Sequence, residues 1–316
     1  MPYNNLISRT SAAALVPEQV SNDILTGLIN ESAALTMFRQ IRMSTNQTRM
    51  PVLAALPTAY FVNGDTGLKQ TTQVDWSNKY INVEELAAIV PIPEAVLDDV
   101  NFDVWGSIRP LMEQAIARAL DAAIFFGVNK PASWPAALVA DAVTAGNTVN
   151  RGTATQANGG LASDLSDAFA TIEADGFDVN GIVANTRYKG LLRNVRATDG
   201  RQLLDDAGQV YGTLVRYPMR GLWPAVTTTG QRNVEMVLGD YTQGILATRQ
   251  DITYKLLDQA VIQDGGGAIQ YNLAQQDMVA MRVVARFGFQ LANTLNYDNP
   301  TATRYPFAVV QSPTNP

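Results

Sequence analysis

The chain has no cysteine and no histidine in its 316 residues. The first absence removes disulfides, thiol nucleophiles and Cys-ligated metals. The second removes Ser–His–Asp and Cys–His nucleophilic sites, His-bound zinc, and the commonest general base near neutral pH. Charge is also sparse, at 16% of residues against 47% hydrophobic, and lysine is its scarcest part, with five Lys beside eighteen Arg. Surfaces of Ala, Thr, Asn and Gln are cheaper to desolvate than Lys or Glu, and the Arg fork is favoured where surfaces meet. Both traits suit a subunit with many contacts. Net charge is −6 and the pI about 4.8, so no overall basic field draws nucleic acid in. No run approaches the roughly 20 apolar residues that span a bilayer. The stretch MPYNNLISRT has neither the basic region nor the apolar core of a signal peptide. The expectation is a soluble protein made in the cytoplasm, with no membrane partner.

What is present is organised around residues 86–126: a short apolar strand, an acidic turn at Asp98-Asp99, and the longest helix signal in the chain. Asp103 is placed to cap that helix. Ile108, Met112, Ala115, Ala119, Ala122 and Phe126 recur at helical spacing, while Arg109 with Glu113 and Gln114 with Arg118 stand four apart on the opposite face. Pro110 clashes with the carbonyl of Gly106. That predicts a kink or restart there and a regular helix over 110–126, ended by Gly127.

Residues 1–48 read as an arm. Pro17 and Glu18 open a helical pattern through Val20, Ile24, Leu25 and Leu28, and a second turn runs from Ala33 to Phe38. These turns pack either in their own core or on a neighbour. Alternation over 38–53 breaks at Ser44-Thr45-Asn46, a hairpin signal. From 49 to 85 two strand-like runs flank NGDTGLK (63–69), rich in residues that tolerate positive φ. At about 3.3 Å per residue, the tip of such a hairpin lies tens of ångströms from its base. Tyr60-Phe61, and Trp76 with Tyr80, then need a partner surface, unless the hairpin folds back on its own domain.

Residues 127–160 hold NKPASWP and the aperiodic run TAGNTVNRGTATQANGG, expected as a loop. A helix over 163–175 carries Leu165, Phe169 and Ile172 on one face before Gly176. GIVAN (181–185) is a buried strand, Thr186 caps a helix through Arg196, and 213–219 is another strand. This alternation implies a compact mixed α/β unit over 161–220. The last third is strand-rich, and in MVAMRVVARFGFQLAN the residues Met278, Ala280 and Arg282 share one face, Val279, Met281 and Val283 the other. Residues 296–316, with four prolines, read as a C-terminal tail.

Candidate chemical motifs fail on inspection. Gly265-Gly266-Gly267 lacks the Lys-Ser/Thr of a phosphate cradle and reads as a turn, and Gly64 to Lys69 lacks P-loop spacing. Asp178-Val179-Asn180-Gly181 resembles part of a calcium loop, but Gly176 and Arg187 stand at the first and twelfth ligand positions. Asp98-Asp99, Glu84-Glu85 and Asp205-Asp206 are adjacent pairs, and neighbours on a strand point to opposite faces rather than forming a dyad. No catalytic residue, cofactor or metal is expected, and the chain is not read as an enzyme.

The order of these features resembles the major capsid proteins of tailed double-stranded DNA phages, an α+β architecture known as the Hong Kong 97-type fold. ALVPEQVSNDIL resembles the family's N-arm, and the segment from AYFVNGDTGLK to PEAVLDD its extended hairpin, the E-loop, with the following strand. ALDAAIFFG, with Asp121 and Gly127, resembles the close of its spine helix. LGDYTQGILATRQDITYKLLD and DMVAMRVVARFGFQLAN, with Asp277, Arg282 and Arg286, resemble strands of its peripheral (P) domain. The resemblance implies an N-arm over 1–48, an E-loop over 49–85, a P-domain strand and spine helix over 86–127, and an axial (A) domain over 128–230. P-domain strands over 231–295 and a tail over 296–316 complete it.

It further implies self-assembly as pentamers and hexamers into an icosahedral shell around packaged double-stranded DNA, built in the host cytoplasm. Portal and scaffolding proteins, and a decoration protein, are the expected partners. Arg49, Tyr60, Phe61, Lys69, Trp76, Lys79 and Tyr80 become the expected E-loop interface, with Arg109, Glu113, Arg118 and Asp121 on the spine. Some relatives join an E-loop Lys to a neighbour's Asn under a catalytic Glu. Lys69 and Lys79 fit the first role, but no Glu follows Glu235, so no cross-link is expected. Because the chain begins at the arm, scaffolding is expected as a separate protein or a part cleaved from a precursor. Contact with DNA is expected to be weak and sequence-independent, since a wall that grips DNA needs a basic face. Two other readings stay open: an encapsulin-type cellular compartment enclosing a cargo enzyme, and a lectin-like β-rich protein using Trp76, Trp134 and Trp223.

Overall fold

The structure is a computed structural model that describes residues 32–62, 67–69, 71–99, 103–196, 200, 208–218, 222–224 and 232–313. The helix expected after Pro17, the hairpin tip at 63–66 and the pair Asp205-Asp206 lie outside the described residues. In chain order come α1 (Ala33–Met37), β1 (Arg39–Arg42), β2 (Gln47–Ala55) and β3 (Asp75–Pro93), then α2 (Glu94–Asp99) and α3 (Val104–Asp121). A middle stretch holds α4 (Leu138–Ala145), β4 (Thr148–Asn150), α5 (Leu161–Ala174), β5 (Gly181–Ala184), α6 (Tyr188–Arg193), β6 (Gln209–Val210) and β7 (Thr213–Arg216). Strands β8 (Val234–Gly239), β9 (Gly244–Leu257), β10 (Val261–Gln263), β11 (Ile269–Asn272), β12 (Met278–Leu291) and β13 (Phe307–Gln311) follow.

The first sheet has the order β1-β9-β12-β3-β2. Strand β12 is its apolar centre, with Met281, Val283, Ala285, Phe287 and Phe289 packed in one core with Met112, Ile116 and Leu120 of α3. The 19-residue β3 serves two purposes. Its residues 83–93 pair antiparallel with β12, and its residues 75–82 run on beyond the last of those pairs with β2. The hairpin expected around Ser44-Thr45-Asn46 does not form. Strand β1 pairs in parallel with β9 instead, and the 43–46 link crosses to the opposite edge. There Met43 N–H donates to the Thr248 carbonyl (3.0 Å) and Val83 N–H to that of Asn46 (2.9 Å). Met43, Ile81, Ile245 and Ala247 pack together under the crossing, so burial of Met43 outweighs the local turn signal.

Asp103 caps α3 as expected, its carboxylate accepting from Gly106 N–H at 2.9 Å. The expected restart at Pro110 is absent, and α3 continues through it. Pro110 leaves the Gly106 carbonyl without a helical donor, but Gly106 is exposed and solvent can serve it. The irregularity falls at the other end, where Ala122–Phe126 is π-helical before Gly127 at φ 73°. This wider turn places three consecutive residues, Ala123, Ile124 and Phe125, in the core. The buried face is also corrected: Met112, Ile116 and Leu120 face inward, while Ala115 and Ala119 are exposed. Two stripes share helical spacing here, and the one with larger side chains is buried.

The second sheet has the order β4-β13-β8-β5-β7-β6. Its composition corrects three expectations. The supposed tail supplies β13, which lies between β4 and β8 with Phe307, Ala308, Val309 and Val310 fully buried. Strand β8 belongs to this sheet, so the chain returns to the first sheet only at Gly244. The run 144–160, expected as a loop, takes in the end of α4 and the whole of β4. Helix α5 forms as expected, and its Leu165, Ala168 and Ile172 pack with Ala308 and Val310 of β13. Helix α6 is shorter than expected, and Asn185 rather than Thr186 opens the turn before it, accepting from Arg187 N–H at 3.0 Å.

Both sheets meet in one aromatic cluster. Phe38 lies 5.3 Å from Phe289 and 5.4 Å from Tyr241, and Tyr241 lies 5.1 Å from Phe307, centroid to centroid. Gly244 faces this cluster with no room to spare, since a Cβ there would overlap the Phe38 ring.

Candidate assembly interface

The hairpin of β2 with residues 75–82 of β3 carries most of the residues expected at an interface. Arg49 stands opposite Tyr80, Met50 opposite Lys79 and Leu53 opposite Trp76. Phe61 is fully exposed, Leu68 is 89% exposed and Trp76 68%, with Tyr60 and Tyr80 also open. Burying large apolar side chains stabilises by about 25 cal/mol per Å², and scattered single ones need no explanation. Here they share one hairpin, together with exposed Arg49 and Lys69.

The base of the hairpin is stitched to its own chain. Lys79 Nζ donates to the carbonyls of Leu291 (2.9 Å) and Ala292 (2.8 Å). Gln290 Nε2 donates to the Tyr80 carbonyl at 2.9 Å, and Trp134 Nε1 to that of Asn82 at 3.1 Å. Burial, then nearby Arg304, pushes the Lys79 ammonium below its ordinary range, against a smaller pull from Asp141. Lys79 is therefore an anchor within its own chain, and Lys69 is the open lysine of the hairpin. The adjacent Glu84 and Glu85 diverge as strand neighbours should: Glu84 accepts from Ser133 Oγ at 2.5 Å, and Glu85 pairs with Arg286 at 2.8 Å.

On the spine, Asp121 is fully buried, which its place among surface residues of a helix did not announce. Its carboxylate accepts from Ser32 Oγ (2.5 Å), Ala33 N–H (2.9 Å) and Ala34 N–H (3.0 Å), the open N-terminus of α1. Burial raises its pKa, and the bonds from Ser32, Ala34 and Ala33 oppose that rise. The available signal was a lone acid inside the apolar run ALDAAIFF. Arg109 and Glu113 both meet Tyr254, the guanidinium 5.7 Å from the ring centroid and the carboxylate accepting from the hydroxyl. Burial and the Glu113 bond push the Tyr254 hydroxyl well above its ordinary pKa. Arg118 is exposed at the edge of a groove of about 430 Å³ that Ala115, Ala119, Ala122, Val128, Leu222 and Pro224 line.

Asp277 turns the chain into β12 at φ 48°, and its carbonyl accepts from Glu94 N–H at 2.9 Å. Arg282 lies between Ile89 and Lys255 on neighbouring strands, with its Nε buried and unpartnered among the described residues. Of the three tryptophans weighed as a sugar platform, Trp134 is buried and Trp223 packs edge-on to Phe126, leaving only Trp76 open. Among the described residues no cluster of three acidic side chains could hold a metal, and no helix is long and apolar enough to cross a membrane.

A family model described as the phage capsid family matches residues 12–295. A solved structure from Microbacterium phage Oxtober96 is 38% identical with a TM-score of 0.82, covering 98% of this chain and 100% of that chain. One from Mycobacterium phage Adephagia is 32% identical with a TM-score of 0.81, covering 99% and 100%. One from Mycobacterium phage Bobi is 30% identical with a TM-score of 0.82, covering 98% and 100%. A more distant structure, titled the capsid of a native GTA particle with C5 symmetry, shares the fold at 18% identity and a TM-score of 0.66, covering 98% and 99%. No curated protein matches the chain. The three likenesses at 30% identity or more are to phage structures and leave the cellular-compartment reading unfavoured. With the fold, the hairpin and the family match agreeing over nearly its whole length, the chain belongs to the phage capsid family and is a major capsid protein of the Hong Kong 97-type fold, a structural component of the virion shell.

Proposed function

We propose that the subunit assembles as pentamers and hexamers into an icosahedral shell that encloses packaged double-stranded DNA. The observation that carries this reading is the hairpin of β2 and β3, which runs past the end of the sheet with Phe61, Leu68 and Trp76 open. Laid across a neighbouring copy, Arg49, Tyr60, Phe61, Lys69, Trp76 and Tyr80 form the contact, with Lys79 fixing its root. Arg282 and Arg286, both half-buried on β12 and Arg286 already paired with Glu85, belong to the peripheral contact.

The six-stranded sheet serves as the axial domain at capsomer centres, and the five-stranded sheet with α3 as the peripheral one near threefold axes. The acidic balance supports a container whose contact with DNA is weak and independent of sequence. Assembly takes place in the host cytoplasm with portal and scaffolding proteins. The subunit is not an enzyme and forms no covalent link to its neighbours. Electron microscopy of the purified protein tests this reading: closed icosahedral particles are expected, and a stable monomer by light scattering overturns it.

A further inference from the structure

The segment between β12 and β13 touches the hairpin at two points and the second sheet at several. At its start, the Leu291 and Ala292 carbonyls accept from Lys79 Nζ (2.9 and 2.8 Å). At its middle, the Tyr297 hydroxyl donates to the Pro57 carbonyl at 2.7 Å, across 240 positions of sequence. The segment is stapled internally by Arg304, which donates to the carbonyls of Thr294 (3.1 Å), Thr301 (2.6 Å) and Asn293 (3.1 Å).

Its far side is keyed to Asp175 at the C-terminus of α5. The Asp175 carboxylate accepts from Asn299 Nδ2 (2.7 Å), Tyr305 N–H (2.9 Å) and Asn147 Nδ2 (2.9 Å), and its carbonyl from Asn296 Nδ2 (2.8 Å). Asn296 also fills the space over Gly176, where a Cβ would lie 2.8 Å from it and where φ is +77°. Asp175 thus holds the segment at three residues, Asn299 and Tyr305 through its carboxylate and Asn296 through its carbonyl.

We infer that residues 291–305 form a bracket through which the second sheet, by way of Asp175, sets the angle of the assembly hairpin. The two attachments differ in kind. Lys79 is a half-buried ammonium shared by two carbonyls and acts as the fixed point. Tyr297 is 66% exposed and makes a single neutral bond that water can replace, so it acts as a releasable catch. A shift of the second sheet is passed to the hairpin by the bracket, and release of Tyr297 frees the hairpin to swing about Lys79. This rests on the hairpin being the assembly element, but the coupling itself is measurable without assembly.

Hydrogen exchange read by mass spectrometry on the purified full chain tests it. Tyr297→Phe is expected to raise exchange in peptides covering 47–58 and 71–80 about fivefold. Asp175→Ala, remote in sequence from the hairpin, is expected to raise exchange in the same peptides as well as in 292–305. Asn299→Ala, a milder loss at the same key, gives the same pattern where Asp175→Ala does not fold. Faster exchange confined to 292–305, with hairpin peptides unchanged in the Asp175 or Asn299 variant, overturns the bracket. An unchanged hairpin in Tyr297→Phe overturns the catch. Particle formation is scored separately by electron microscopy, so a failed bracket and a failed assembly role give different results.

Discussion

Asp121 of the spine accepts the hydroxyl of Ser32 at 2.5 Å, across 89 positions of sequence, in a site with no solvent access. It is the contact by which the N-terminal part of the chain enters the core. A buried carboxylate is costly unless its lone pairs are served, and here three donors from one helix start serve it.

Asp121→Ala leaves the Ser32 hydroxyl and two backbone donors without their acceptor. The expected loss is about 3 kcal/mol or more of unfolding free energy, read by denaturant titration.

The same residue gives a pH prediction. Its folded pKa is raised from 3.8, burial being the larger cause. The native state therefore binds the proton more tightly than the unfolded chain, and stability falls as pH rises from about 3.8 through the folded value. Wild type should gain stability relative to Asp121→Asn as pH is lowered through that window. A pH-independent difference between the two melting curves would contradict the assignment.

Phe61→Asp and Leu68→Asp separate folding from assembly. Both side chains are open in the subunit, so each change should shift unfolding free energy by no more than about 0.5 kcal/mol. On the proposed contact between hairpin and neighbour, particle yield by light scattering should collapse.

Mature particles run on a denaturing gel should give the capsid subunit as a single monomer band. A ladder of covalent oligomers would refute the absence of a cross-link.

Gly244→Ala places a methyl group in the Phe38 ring and should cost roughly 1–3 kcal/mol. Gly265→Ala, with open space around it, is the control and should cost little. Equal melting temperatures for the two variants would refute the packing argument.

The features legible in the sequence were those set by strong local signals. The Asp103 cap, the Gly127 stop, the buried GIVA strand and the face of α5 all follow from residue type and spacing. The hairpin and its open aromatics were readable for the same reason, since no core periodicity runs through them. What was not legible depended on partners far along the chain. Phe307 to Gln311 sits among prolines that signal a tail, yet two strands over sixty residues away close around it. The 43–46 link looks like a turn between paired strands, and only the burial of Met43 against Ile81 and Ala247 sends it across the sheet. Asp121 resembled any helix-surface acid until Ser32 was brought against it. Tyr297 carried no pattern at all.

The central position of β13 has a consequence for synthesis. Strand β4 has no strand partner, and one edge of β8 stays unpaired, until residues 307–311 leave the ribosome. Pairings of such long range are slow to form and leave surface exposed while they wait. A nascent chain therefore cannot present a finished six-stranded sheet to its neighbours, and shell building is timed by translation: only subunits read through this strand are fit to join.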